Sequence, residues 1–468
     1  MKRGEAQQIL AATNRWWRDP TRWNSEDPDL REAAGAPFSY RADVLDDLAP
    51  GGLYMLRGPR RVGKTVAVKG AIRDLIANGV PPRHIVHMAV DGLRSRDLGL
   101  LVDAAEGLMP AEGHRYWFID EITGIADGWP ERIKWLRDND PRFRTDTLVL
   151  TGSSAADLTR ATKALAGRRG DARAPDRVLM PIGFRSFLSL TSTETPPAMP
   201  KLARHRIADL THGHLKDVLP ELAPWQDVLI RAWETYVGCG GFPVAVAQHV
   251  AARAEPAVLR RSLVDVIHGD AFRRADWSQA QSTDLLRRLA MNVCSPVNVA
   301  SLANDTGVAQ STLKRRLDEL REAFVVWPCY REDNLHPKLG AQPKLYFTDP
   351  IYTNLTPGST LDFSQLSQQQ LGVALLRTTE RTNPGTLVGH DQVMHHRTAS
   401  RKEIDFVGPA FGGIAFESKY VDGGWRRDAL TLKASRWRGI VATRSETDLS
   451  DPAVAAVPVA LLAWLLDS

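Results

Sequence analysis

Eight consecutive residues, Gly58-Pro59-Arg60-Arg61-Val62-Gly63-Lys64-Thr65, carry the spacing G-x-x-x-x-G-K-[ST]. Each fixed position has a chemical reason. The glycines let the backbone curl so that several N–H groups converge on an anion. A helix opening at the same point adds the positive end of its dipole. A lysine there reaches the β- and γ-phosphates of a nucleotide, and a hydroxyl there can ligate Mg²⁺. The apolar run 53–56 before the motif predicts a strand, and the pattern over 66–76 predicts a helix. A chance glycine-rich turn would lack that frame. The segment from Gly58 to Val66 is therefore the expected cradle for ATP and Mg²⁺.

About sixty residues later, the apolar run Tyr116-Trp117-Phe118-Ile119 ends in Asp120-Glu121. A carboxylate at the tip of a buried strand beside such a cradle holds Mg²⁺, and a second acid next to it polarises the attacking water. Asp120 is the expected metal residue and Glu121 the expected general base, which favours hydrolysis over binding alone. A further strand over 147–150 runs into Thr151-Gly152-Ser153-Ser154. Thr151 and Ser153 are candidates to sense the γ-phosphate; a serine-rich helix cap is the other reading. Of the basic residues Arg160, Lys163, Arg168, Arg169, Arg173 and Arg177, Arg168 is the first candidate to reach a neighbouring copy's γ-phosphate in a homo-oligomer. A solvated basic face is the alternative.

Two other constellations lie downstream. Residues 299–307 and 309–323 read as two helices joined by a turn at Gly307, with Val308, Leu313, Leu317 and Leu320 as the apolar side of the second. Ser311, Thr312, Lys314, Arg315 and Arg316 are placed to meet phosphates or bases of DNA. A spacer without nucleic-acid contact fits the same pattern. Farther on, runs 402–407 and 414–419 flank a turn centred on Phe411. A hairpin symmetric about that residue opposes Asp405 to Glu417 and puts Lys419 on their face, with Ile404, Phe406, Ile414 and Phe416 on the other. Two facing carboxylates and a lysine have the spacing of a D…ExK nuclease core, in which Asp405 and Glu417 bind metal and Lys419 positions water. A polar face tied by salt bridges is the plain reading.

These residues need elements to hold them. Strands alternating with helices up to about residue 150 predict a parallel sheet covered on both faces. A Thr- and Pro-rich stretch at 191–200 reads as a loop, and a mostly helical region follows to about residue 267. The chain has 468 residues, too long for one core. Its formal charge of +5 permits a polyanionic partner without requiring one. Cys239, Cys294 and Cys329 lack metal-ligand spacing and read as reduced thiols of a cytoplasmic protein. No signal peptide and no membrane span is expected. The tryptophans Trp16, Trp17 and Trp23 suggest an N-terminal segment docked on the first sheet, or one that touches an adenine.

The chain resembles the prokaryotic AAA-like ATPases fused to a C-terminal domain of unknown function. The likeness rests on the cradle, Phe118-Ile119-Asp120-Glu121, Thr151-Gly152-Ser153 and Leu165-Ala166-Gly167-Arg168. It continues through the run from Pro181 to Leu188, Gly240-Gly241-Phe242-Pro243, Lys344-Leu345-Tyr346-Phe347-Thr348-Asp349 and Glu403-Ile404-Asp405-Phe406-Val407. It implies an α/β protein with an AAA/RecA-like P-loop core at 1–180 and a helical connector at 181–284. It further implies a winged helix at 285–340 and a restriction-endonuclease-like domain at 341–468. The chain departs from the family at Gln368-Gln369-Gln370, where members often carry an acid. Three functions stay open: an ATP-driven machine acting on DNA or another macromolecule, an ATP-regulated DNA nuclease, and a non-catalytic nucleotide-switched binding module.

Overall fold

Leu53, Met55, Trp117, Ile119, Leu148 and Leu150 have no access to solvent, as expected of strands covered on both faces. In a computed structural model of the chain they belong to a sheet of five strands. These are β1 (Leu53–Arg57), β2 (Ile85–Ala89), β3 (Tyr116–Asp120), β4 (Thr147–Thr151) and β5 (Asp176–Val178), in the order β2-β3-β4-β1-β5. All pairings are parallel. The structure describes residues 1–125, 128–152, 161–191, 202–251, 262–265, 267, 278–353, 355, 362–389, 391–398 and 400–467. The chain divides into two compact units, Met1–Leu179 and Met180–Ser468. Among the described residues no helix is long and apolar enough to cross a membrane.

In the first unit, helix α1 (Arg3–Thr13) packs on α3 (Ser95–Glu106), and α2 (Lys64–Ala77) follows β1 directly. The N-terminal segment closes the β2 edge with side chains. Asn14 accepts from the His87 N–H at 2.7 Å and donates to the His87 carbonyl at 2.9 Å, as a neighbouring strand would. Trp16 and Trp17 both aim their indole N–H at the Ile85 carbonyl, at 3.1 and 2.8 Å. The tryptophans thus anchor the segment to the sheet edge. The Lys69 ammonium, buried on α2, is held by both Asp27 oxygens at 2.8 and 2.7 Å.

The second unit contains helix α4 (Gln226–Cys239), α5 (Val299–Thr306) and α6 (Gln310–Glu322), then strand β6 (Val326–Cys329). A two-residue hairpin follows, β7 (Glu332–Asp333) with β8 (His336–Pro337), and β9 (Lys344–Phe347) pairs back on β6. Asn334 and Leu335 at the hairpin turn both have positive φ, 52° and 63°, the backbone that two-residue hairpins require. Helix α7 (Phe363–Thr382) leads to a second five-stranded sheet. Its order is β10 (Met394–Arg397), β11 (Glu403–Val407), β12 (Ile414–Ser418), β13 (Arg438–Thr443) and β14 (Val454–Pro458). The first two pairings are antiparallel and the last two parallel. Helix α8 (Arg426–Lys433) packs on β13, and α9 (Val459–Leu466) packs on α4 and α7.

Three of the short motifs seen in the sequence meet in this unit. A Cβ on Gly240 would stand 2.3 Å from an Asp349 oxygen, and one on Gly241 would stand 2.0 Å from the Ile182 carbonyl oxygen. Only glycine fits such approaches. The Asp349 carboxylate accepts the Gly241 N–H at 2.8 Å and the Ile351 N–H at 3.0 Å. Ile182 in turn accepts from the Tyr236 hydroxyl at 3.2 Å. Gly240-Gly241, Asp349 and the Pro181–Phe184 segment are therefore one packing device rather than a ligand site.

Two expectations change. Arg316 is buried on α6 and pairs with Glu319; it lies three residues from Leu313 and four from Leu320, on the apolar face, so it is not offered to DNA. The four apolar hairpin residues are all buried but do not share one face. Ile404 joins the cluster that includes Trp425 and Leu432, whereas Phe406 lies against Gly372 of α7.

Candidate nucleotide-binding site

The cradle starts where β1 ends. Gly58 has φ +145°, and a Cβ there would lie 2.3 Å from the Leu179 carbonyl oxygen. Gly63, at φ +100°, opens α2 in the left-handed region, and Arg61 also has positive φ. The loop made of Gly58, Pro59, Arg60, Arg61, Val62 and Gly63 is thereby bent so that Lys64, Thr65 and Val66 form the first turn of α2. Lys64 Nζ is folded onto its own loop, donating to the Gly58 and Pro59 carbonyls at 3.0 and 3.1 Å, and lies 3.7 Å from Glu121 Oε1. An incoming triphosphate offers that ammonium better acceptors than two neutral carbonyls.

Strand β4 lies between β1 and β3, so Thr151, Asp120 and Thr65 end side by side. Thr65 Oγ1 donates to Asp120 Oδ2 at 2.8 Å, and the Thr151 hydroxyl donates to the other Asp120 oxygen. Thr151 Oγ1 also accepts the Glu121 N–H at 3.0 Å. Glu121 itself has φ 54°, an uncommon backbone for a non-glycine residue and one that clusters at functional sites. Burial alone would push the Asp120 carboxyl up. The contacts from His87, Thr151 and Thr65 outweigh it and hold the group at about 2. Asp120 therefore stays ionised across the neutral range. A hydroxyl and a carboxylate oxygen 2.8 Å apart are the hard donors that Mg²⁺ takes, so these residues fit that ion.

One participant was not read from the sequence. His87 of β2 is buried, and its Nε2 points at Asp120 Oδ2 from 3.6 Å with no hydrogen-bond partner. The available signal was the adjacency of β2 and β3, which no local pattern encodes. Ser153 lies outside the described residues. Arg168 forks onto Asp138 of its own chain at 2.7 and 2.8 Å.

Family comparisons agree with this geometry. Residues 51–188 match the family described as an AAA domain. The first unit carries an AAA-like ATPase domain. Residues 230–355 match a family described only as a domain of unknown function. No curated protein matches the chain. Among solved structures, it is similar to the Walker-type ATPase PABY2304 of Pyrococcus abyssi at 14% identity, covering 71% of this chain and 94% of that one, TM-score 0.38. It is also similar to the Aeropyrum pernix ORC1 protein in complex with DNA, at 11% identity, 78% and 94% coverage and TM-score 0.27. A Thermotoga maritima RuvB variant aligns at 16% identity, 59% and 81% coverage and TM-score 0.26.

The second cluster of residues, Asp405, Glu417 and Lys419, is assembled as well. The register Phe406 opposite Phe416 makes the hairpin symmetric about Phe411, so Asp405 faces Glu417. Lys419 Nζ lies 3.3 Å from Glu417 Oε1. Asp405 Oδ1, however, already accepts from Lys344 Nζ at 3.2 Å and from Gln368 Nε2 at 2.7 Å, and its Oδ2 accepts the Ser418 N–H at 2.9 Å. Lys344 is buried and also pairs with Glu403. Among the described residues no group of three or more His, Cys, Asp or Glu side chains is arranged to hold a metal. A divalent ion at Asp405 and Glu417 would have to displace a buried ammonium, so the residues do not fit one. Lys344 supplies positive charge at Asp405, where a metal was expected, and Gln368 donates where an acid would have accepted.

Burial, and then the Asp405 charge, push the Glu417 carboxyl up to about 8. An acid whose folded value lies above its unfolded value of about 4.3 holds more protons when folded. Its contribution to stability is full below about 4.3 and is lost as pH rises towards 8. The melting temperature of the second unit should therefore fall between pH 5 and pH 9, and Glu417→Gln should flatten that fall. Thermal melts of both proteins across the range check this; parallel profiles would exclude Glu417 as the source.

Proposed function

We propose that the chain hydrolyses ATP in a Mg²⁺-dependent reaction at the end of β1, β3 and β4, and uses the cycle to rearrange its C-terminal unit on DNA or another macromolecule. The observation that carries this reading is the Thr65–Asp120–Thr151 network beside the Lys64–Glu121 pair. Backbone N–H groups of residues 58–66 receive the phosphates, and Lys64 leaves its loop carbonyls for the β- and γ-oxygens. Thr65 and Asp120 would hold Mg²⁺, which would supply positive charge to the phosphate oxygens. Glu121 takes the proton of the attacking water, and Thr151 ties the Glu121 backbone to Asp120, linking the base to the metal residue. His87 keeps the Asp120 carboxylate in place.

In a homo-oligomer, Arg168 would serve a neighbour's γ-phosphate after releasing Asp138, which makes the Asp138–Arg168 fork a latch on assembly. Helices α5 and α6 with the β7–β8 hairpin form a winged-helix-like module, with Lys314 and Arg315 exposed on α6. Neutralisation of Asp405 by Lys344 favours a nuclease-like fold that does not cut over an ATP-regulated nuclease.

Lys64→Ala tests the central reading. Nucleotide affinity and phosphate release should both fall to background, read by titration with a fluorescent ATP analogue and by a phosphate assay. Wild-type turnover in the variant would rule the site out.

A further inference from the structure

The short β7–β8 hairpin and the edge strand β10 enclose, together with residues 434–437, an open cleft of about 450 Å³. Its lining is cationic. Arg331 and Lys338 come from the hairpin, His396 and Arg397 from β10, and Arg436 from the segment before β13. Two carboxylates are present, and both are engaged. Glu332 is buried beneath the cleft, takes His396 Nδ1 at 2.7 Å and pairs with Arg436. Asp333 lies 3.5 Å from Lys338 Nζ. Arg331 and Arg397 are in no ion pair among the described residues, which leaves two guanidinium forks facing one cavity. Glu332 also fixes the cleft's geometry, because the His396 and Arg436 groups it holds rest on Trp437, at 4.7 and 4.6 Å from its ring.

We propose that this cleft binds the phosphodiester backbone of single-stranded nucleic acid. Planar guanidinium groups match phosphate oxygens two at a time. The cavity has the size of a small-ligand cleft, suited to a strand and too small to take a duplex. Its position favours a nucleic-acid strand over a lone anion. Arg397 pairs across the sheet with Glu403, Glu403 binds Lys344, and Lys344 binds Asp405. The cleft is thus joined through Glu403 to the hairpin centre on β11, whose Lys344 and Asp405 are buried. The inference deepens the reading of DNA as the client and moves the main contact away from α6.

Fluorescence anisotropy with a labelled oligo-dT tests it, comparing the full-length wild type, Arg331→Ala/Arg397→Ala and Lys314→Ala/Arg315→Ala, with ATP turnover measured in parallel. Both cleft arginines are at the surface, so the variant should fold. The cleft variant should lose at least tenfold in affinity, and the slope of log affinity against log salt should fall by about 1.4, two contacts at about 0.7 each for a single strand. Its ATP turnover without nucleic acid should match the wild type. The α6 variant should bind the strand within threefold of the wild type.

Unchanged affinity in the cleft variant overturns the proposal. If only the α6 variant loses binding, the cleft assignment fails while DNA remains the client. If the wild type binds no oligonucleotide but hydrolyses ATP, both fail and the ATPase stands. Displacement by inorganic phosphate at equal phosphate concentration would make the cleft a free-phosphate pocket and overturn the strand assignment.

Discussion

Replacing Glu121 by glutamine should slow ATP turnover by about 10² to 10⁴, the usual contribution of a positioned general base, while leaving MgATP affinity intact. The side chains are isosteric, and Glu121 N–H keeps its bond to Thr151 Oγ1 because that bond is made by the backbone. Only the capacity to accept a proton disappears. The Thr65–Asp120 bond and the Lys64 bonds to its loop carbonyls do not depend on the Glu121 carboxylate, so nucleotide should still bind. Single-turnover hydrolysis and an equilibrium ATP titration separate the two effects. A variant that retains more than a tenth of the wild-type rate would remove Glu121 from the chemistry and leave binding as the only function of the cradle.

A second large effect is expected far from that chemistry. The buried Asp467 carboxylate accepts the Phe184 N–H at 2.6 Å and Arg377 Nη1 at 3.3 Å. Arg377 also donates to the Tyr236 hydroxyl at 2.9 Å. Asp467→Ala leaves the guanidinium buried without its counter-ion. Loss of one partner of a buried pair costs about 3–5 kcal/mol, a large part of the stability of a typical domain. Urea denaturation of the full chain, followed by a probe in the second unit, gives the value. Asp467→Leu combined with Arg377→Met should recover much of the loss, because apolar replacement of both partners removes the stranded charge. A single-variant cost below about 1 kcal/mol would mean that Arg377 is satisfied elsewhere.

What the sequence disclosed follows from how local each feature is. Gly58 to Thr65 is contiguous, and its geometry is set by glycines within the motif, so its place between a strand and a helix was readable. The turn at Gly307 lies in the same class: its φ of 68° closes α5 as a left-handed cap. The opposition of Asp405 and Glu417 was legible because a hairpin's register is set by its own centre. What escaped was supplied from a distance. His87 reaches Asp120 from the adjacent strand, and Lys344 reaches Asp405 from 61 positions away. The glutamine at 368 was visible as a departure from an acid, but its new role as a donor to Asp405 depends on where α7 crosses β11. Strand β5, only three residues long, lay hidden in a basic run. Charge at Arg316 read as surface, although the helix face assigns it to the interior.

The way Asn14, Trp16 and Trp17 cover β2 limits how copies of this protein can join. An outer strand normally invites another chain to add its own, and exposed edges of that kind are what natural proteins blunt. Here the Ile85 and His87 backbone groups are already engaged by side chains from the same polypeptide. Lateral zippering of one molecule's first sheet onto the next is closed at that border. Any ring or stack these molecules build must use other surfaces, and trimming the first seventeen residues should expose a sticky margin before it alters the chemistry.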